Sequence, residues 1–172
     1  MNLNEQAKII HAGNAKWWTD INTGEPIKRN KKELLALVIS ELIEALEGER
    51  KNLMDDHLPH RKMAEVEMAD AYIRLMDYAG GFGIELEQLN HELGIADNKG
   101  EAIFDLTFSV CDAYLGGSKD GYWVSAVIAE IQAYCKKHGY DLDGAIAEKL
   151  YYNSLRADHL PENRKKENGK KF

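Results

Sequence analysis

The chain has 172 residues, with 29 Asp+Glu against 22 Lys+Arg, a net charge of −7, 44% hydrophobic and 30% charged side chains. Such a length suits one domain with a sizeable core, and the acidic balance argues against nucleic acid or an anionic membrane as partner, since both are polyanions. Three Pro and 14 Gly leave little turn chemistry for an all-β chain, and two Cys cannot build a disulfide framework, so the expectation is an all-α, cytoplasmic protein with Cys111 and Cys135 as reduced core thiols.

Helical periodicity runs through six stretches, 3–18, 30–50, 60–80, 99–116, 121–138 and 141–157, with a short helical turn near 85–93. The first stretch has no apolar run long enough for a signal peptide, and the strongest apolar run, Leu34 to Ile39, is far short of a membrane span. It ends in Trp17 and Trp18, with His11 and Asn14 just before. Those side chains can stack on a nucleobase or meet its polar edges, and a core plug for the following loop is the competing use. The loop at Asn22-Thr23-Gly24-Glu25-Pro26 then leads into the second stretch.

In that second helix Leu34, Leu35, Val38, Leu42, Ala45 and Leu46 share one arc at about 100° per residue. Glu41 stands at the edge of the arc, and Glu44, three residues on, lies close enough for the two carboxylates to share an ion. A solvated acidic face is the alternative. The third helix is apolar almost all round, as befits burial against several neighbours, except for one charged stripe of Glu67, Asp70, Arg74 and Asp77. Glu67 and Asp70 repeat the spacing of Glu41 and Glu44, and antiparallel packing of the two helices would bring both pairs into one cleft. Four carboxylates without cysteine or well-placed histidine suit a hard cation, Mg²⁺ or Mn²⁺. The competing reading has Arg74 neutralising Asp70 and Asp77 on a face turned to water.

Gly83 and Gly139 read as helix stops. Residues 78–87 and 134–143 echo one another at an offset of 56, which would make residues 95–140 a degenerate second copy, with Trp123 and Ala126 where Glu67 and Asp70 stand in the first. On the last helix Lys149, Asn153 and Arg156 fall on one face, a cation, an amide and a guanidinium suited to a phosphate chain. His57, His60, His91, His138 and His159 have no ligand spacing. Residues 1–160 are expected to form the single domain. The tail 161–172 carries +3 and reads as flexible and solvated.

The order Glu41-x-x-Glu44, a spacer of 22 residues, Glu67-x-x-Asp70 and a C-terminal Lys149-x-x-x-Asn153-x-x-Arg156 resembles the MazG-like all-α nucleoside triphosphate pyrophosphohydrolases, a family that includes dimeric dUTPases and dCTP pyrophosphatases. The resemblance covers about 30–90 and returns at 139–157. It implies Mg²⁺-dependent cleavage of a (deoxy)nucleoside triphosphate to the monophosphate and pyrophosphate as nucleotide-pool house-cleaning. It implies further that Glu41, Glu44, Glu67 and Asp70 hold metal, that Glu41 or Glu44 takes the proton of the attacking water, and that Lys149, Asn153 and Arg156 bind phosphate. A homodimer is the family expectation, and a true internal repeat would allow a pseudo-dimeric monomer. Two departures from the family pattern are Ser40, where many members have a second acid, and roughly 50 extra residues before the last helix. A dedicated dUTP or dCTP diphosphatase and a catalytically silent helical dimerisation module are the alternatives.

Overall fold

Asparagine and glycine mark several helix boundaries. The first helix, α1 (Leu3–Asn14), opens on a capping box in which the Asn2 side chain accepts from the Glu5 amide and Glu5 accepts from the Asn2 amide. The second, α2 (Lys31–Lys51), is capped by Asn30 and stops at Asn52 in the left-handed region, φ 52°. The third, α3 (Met63–Phe82), stops at Gly83, φ 63°. The computed structural model describes residues 1–89, 93–115 and 120–170, and its remaining helices are α4 (Lys99–Leu115), α5 (Asp120–His138), α6 (Leu142–Leu155) and a single turn, α7 (Pro161–Arg164). Among the described residues there is no strand, only two isolated bridges, and no helix is long and apolar enough to cross a membrane.

The centre of the bundle is the α2/α3 pair. At one end Lys31 lies over the Phe82 ring, and in the middle Arg74 reaches Glu41. At the other end Gly48 meets α3 so closely that a Cβ would come within 2.8 Å of the Ala64 nitrogen. The two helices are therefore antiparallel. As its all-round apolar sequence requires, α3 is buried on nearly every side, with α1, α2, α5 and α6 packed on it, while α4 covers α2 and meets α5. The start of α6 is tied to the start of α3 by Arg61, which donates to Glu65 at 2.8 Å, Asp141 at 3.1 Å and Glu148 at 2.8 Å. Glu148 is held by that link, and its neighbour Lys149 turns inward against α3.

Some expectations need correction. The first helix ends at Asn14 rather than 18, followed by one 3₁₀ turn, Ala15–Trp17. Residues 85–89 and 93 are not helical, and residues 90–92 of the expected turn lie outside the described residues. There the backbone finds side-chain partners instead: Asn4 bonds both the amide and the carbonyl of Leu86, and Ser125 accepts from the Glu87 amide. Most of the tail from 161 to 170 is exposed, but it is latched at one point: Arg164 is 5% exposed, lies 3.9 Å from the Trp17 ring centre and donates to the Lys16 carbonyl at 2.7 Å.

The two helix ends paired by the internal echo share one kind of stop. Gly139 repeats the positive φ of Gly83, and the Tyr140 amide bonds Cys135 O at 2.9 Å just as Ile84 bonds Ala79 O at 2.8 Å. The likeness ends there, because the first turn continues into a non-helical segment and the second into α6. Both cysteines are free thiols, Cys135 buried as expected and Cys111 exposed rather than in the core.

Candidate functional site

Glu41 projects from α2, and Glu67 and Asp70 from the facing side of α3. Because the helices run antiparallel at close range, one oxygen from each lies within 4.8 Å of the other two. Glu44 does not join them: three residues along α2 it has turned away to the exposed rim. Two cations already answer this acidic trio. Lys149, 3% exposed, donates to Asp70 at 2.8 Å, and Arg74, 39% exposed, donates to Glu41 at 2.6 Å. Arg74 thus does neutralise a carboxylate, but across the helix pair and not along its own stripe.

Burial sets the protonation pattern. It raises the Glu67 carboxyl well above the ordinary carboxylate range, an effect reinforced by the negative charges of Asp70 and Glu41 and by a hydrogen bond to Glu41. It pushes Asp70 up to about 6 in spite of Lys149, which leaves that carboxylate ionised at neutral pH. Burial would lower the Lys149 ammonium, and the carboxylates around it, Asp70 first, raise it instead. The result is two ion pairs and a third carboxyl that keeps its proton. Glu44 is also raised, by partial burial and then by the charge of Glu41.

Next to the trio opens a cavity of about 250 Å³. Asp70 and Arg74 form one side, and Trp17, Asn14, Asn153 and His159 form much of the rest. Four of its lining side chains are cationic, Arg29, Arg74, Arg156 and Lys170, against two carboxylates, Asp70 and Asp77. An acidic protein therefore keeps a cavity in whose lining, among the described residues, cations outnumber carboxylates. The phosphate stripe is only partly in line, since α6 stops at Leu155 and Arg156 is already extended, φ −65° and ψ 125°. Its guanidinium grips Asp158 through two hydrogen bonds of 2.9 and 2.8 Å. Asn153 lines the cavity with a buried Oδ1 that has no hydrogen-bond partner.

The four residues expected to meet a base divide into two pairs. Trp17 and Asn14 line the cavity. His11 and Trp18 do not, and instead hold Asp77: His11 Nδ1 lies 2.8 Å from Oδ1, and the Trp18 indole donates to both carboxylate oxygens at 3.0 and 3.2 Å. Burial raises the Asp77 carboxyl while those bonds pull it down. The Trp18 ring fills the space above Gly81, where any Cβ would overlap it.

Three contributors had no sequence signal. Arg29 and Lys170 lie outside any periodic pattern and enter the cavity wall only through the chain's path. Glu49, two turns beyond Glu41, accepts from Lys99 and Tyr140 at 2.5 Å and from Tyr134 at 2.8 Å. Burial opposes its ionisation, and these three donors more than offset it, so it stays a satisfied structural anion joining α2 to α4 and α5. Comparison of the chain with family models, with curated proteins and with solved structures returns no match.

Proposed function

We propose that the protein is a Mg²⁺-dependent pyrophosphohydrolase that cleaves a (deoxy)nucleoside triphosphate to the monophosphate and pyrophosphate. The observation that carries this reading is the juxtaposition of Glu41, Glu67 and Asp70, with oxygens within 4.8 Å, and a cavity whose charged lining residues are four cations against two carboxylates. The donor set fits a hard ion. With metal–oxygen bonds of about 2.0–2.1 Å, ligand oxygens of an octahedron stand about 2.9 Å (adjacent) to 4.2 Å (opposite) apart, so the trio, whose oxygens lie within 4.8 Å of one another, would draw together around one ion. Glu41, Glu67 and Asp70 would hold the ion, which when bound would polarise phosphoryl oxygen and acidify a water.

The chain's own groups divide the remaining work. Lys149 fixes the orientation of Asp70 from beneath. Arg74, half-exposed, has room to leave Glu41 for solvent or for a phosphate oxygen. Glu44 at the rim has a raised proton affinity, which suits a general base outside the ligand set. Arg156 and Asn153 face the polyphosphate side, while Trp17 and Asn14 offer a surface for the nucleoside. On α4, Phe104, Phe108 and Leu115 are exposed on one face, an apolar stripe that suits the homodimer implied by the family resemblance.

One observation favours the second reading, a silent helical module: Lys149 and Arg74 already balance two of the carboxylates without any metal. Pyrophosphate release from a panel of NTPs and dNTPs with Mg²⁺, for wild type, Glu41→Gln and Asp70→Asn, separates the two. Turnover by wild type that both substitutions abolish is the expected result. Absence of turnover on every nucleotide, or equal turnover in all three proteins, would leave the silent module.

A further inference from the structure

Arg156 and Lys170 both line the cavity, yet they come from chain segments 14 residues apart and are held by one carboxylate. Asp158 accepts two bonds from the Arg156 fork, at 2.9 and 2.8 Å, and its Oδ2 lies 3.3 Å from Lys170 Nζ. A guanidinium fork and an ammonium converging on two oxygens is the arrangement that recognises a phosphate. Asp158 itself does not line the cavity. It holds the two cations from the side.

We propose that Arg156 and Lys170 form an oxyanion clamp of this cavity, and that Asp158, beside the cavity, engages the donors of the clamp, so that a phosphate group must compete with it for them. This deepens the reading above, since the anion in question is the polyphosphate of the proposed substrate. The clamp depends on the tail. The 3₁₀ turn Ala157–His159 and α7 carry the chain back to α1, where Arg164 stacks on Trp17 and bonds Lys16 O. Beyond that latch, Gly169 donates to Lys166 O at 2.9 Å, a turn that returns Lys170 toward Arg156. Arg164 and Trp17 are therefore positioning residues for Lys170.

Around the clamp the cations crowd one another. His159, also in the wall, is pushed down to about 4 by burial and then by the nearby cations Arg156 and Lys16. Lys16 is lowered by burial and then by Arg164, and Arg164 by burial and then by Arg29. Cations that crowd one another in this way gain from an anion, and one half-exposed carboxylate supplies the minimum.

Calorimetric titration of the full chain with inorganic pyrophosphate in EDTA tests the clamp without metal, nucleoside or turnover. Asp158→Asn keeps the side-chain shape and removes the competing charge, and should tighten pyrophosphate binding by about three- to tenfold. Lys170→Gln should weaken it by a similar factor, and the double variant should fall back to near wild type. Asp158→Asn binding no tighter than wild type overturns the proposal, whether because the clamp is absent or because losing Asp158 merely frees the tail. Lys170→Gln without effect overturns it as well. Neither result bears on nucleotide hydrolysis, so failure of the clamp and failure of the hydrolase reading remain distinguishable.

Discussion

Replacing Lys149 by Met keeps the stem of the side chain and removes its charge, leaving Asp70 without its partner. Lys149 is 3% and Asp70 16% exposed across a 2.8 Å bond, so water cannot take over the lost interaction. Breaking such a pair typically costs about 3–5 kcal/mol. Asp70 has one escape, protonation, which costs about 1.4 kcal/mol for each pH unit above its own pKa. That pKa is about 6 with Lys149 present and must be higher without it. At pH 8 the expected loss is therefore at the lower end, about 3 kcal/mol, or about 6–12 °C in Tm for a chain of this size. At pH 5 Asp70 is protonated in the wild type too, the pair is already gone, and the substitution should cost little. Thermal and urea denaturation of both proteins at pH 8 and pH 5, in EDTA, give the comparison. An equal loss at both pH values, or no loss at pH 8, would refute the account of Lys149 as the compensating charge.

Glu67 leads to a second expectation. Its folded carboxyl holds a proton more tightly than an unfolded one, so its favourable contribution is complete below the ordinary carboxylate range and is lost as pH rises through the folded value. Metal-free protein should lose stability from pH 5 to pH 9, and Glu67→Gln should flatten that profile and raise the pH 8 Tm while ending pyrophosphate release. Glu49→Ala leaves Tyr134, Tyr140 and Lys99 without their shared acceptor and should cost about 3–5 kcal/mol by urea denaturation, with no recovery at high salt. Gly81→Ala drives a methyl into the Trp18 ring and should cost about 1–3 kcal/mol, with a change in tryptophan fluorescence as the indole leaves Asp77.

The helices were legible because their signal is local. Leu34, Leu35, Val38, Leu42 and Ala45 on α2, and Val66, Met68, Ala69, Ala71, Ile73, Leu75, Met76 and Ala79 on α3, are all buried as their spacing required. Antiparallel pairing of two long helices joined by a short loop also followed, and with it the meeting of Glu41 with Glu67 and Asp70. Glu44 did not follow, because equal spacing within a motif says nothing about which residue faces the neighbouring helix. Arg74 is the same case in reverse: its stripe suggested partners on its own helix, and the packing supplied a nearer one across the interface. Lys149 was visible as a cation on the right helix, and it shares the buried face of Leu142, Ala145 and Ile146, which turns it inward to Asp70. Arg29, Lys170 and Asp158 lie outside helical periodicity, so their convergence depends on a chain path that no spacing encodes.

The α2/α3 hairpin bears on the order of folding. Its two helices are joined by residues 52–62 and can pair through short-range contacts, whereas α6 comes from the far end of the chain. Glu41, Glu67 and Asp70 are all in the hairpin, and Lys149 is in the late arrival. A nucleus built from α2 and α3 alone would bring three acids together with only Arg74 to answer them. Mild acid should therefore speed the rate-limiting step of refolding, and Lys149, absent from that nucleus, should act chiefly on the rate of unfolding.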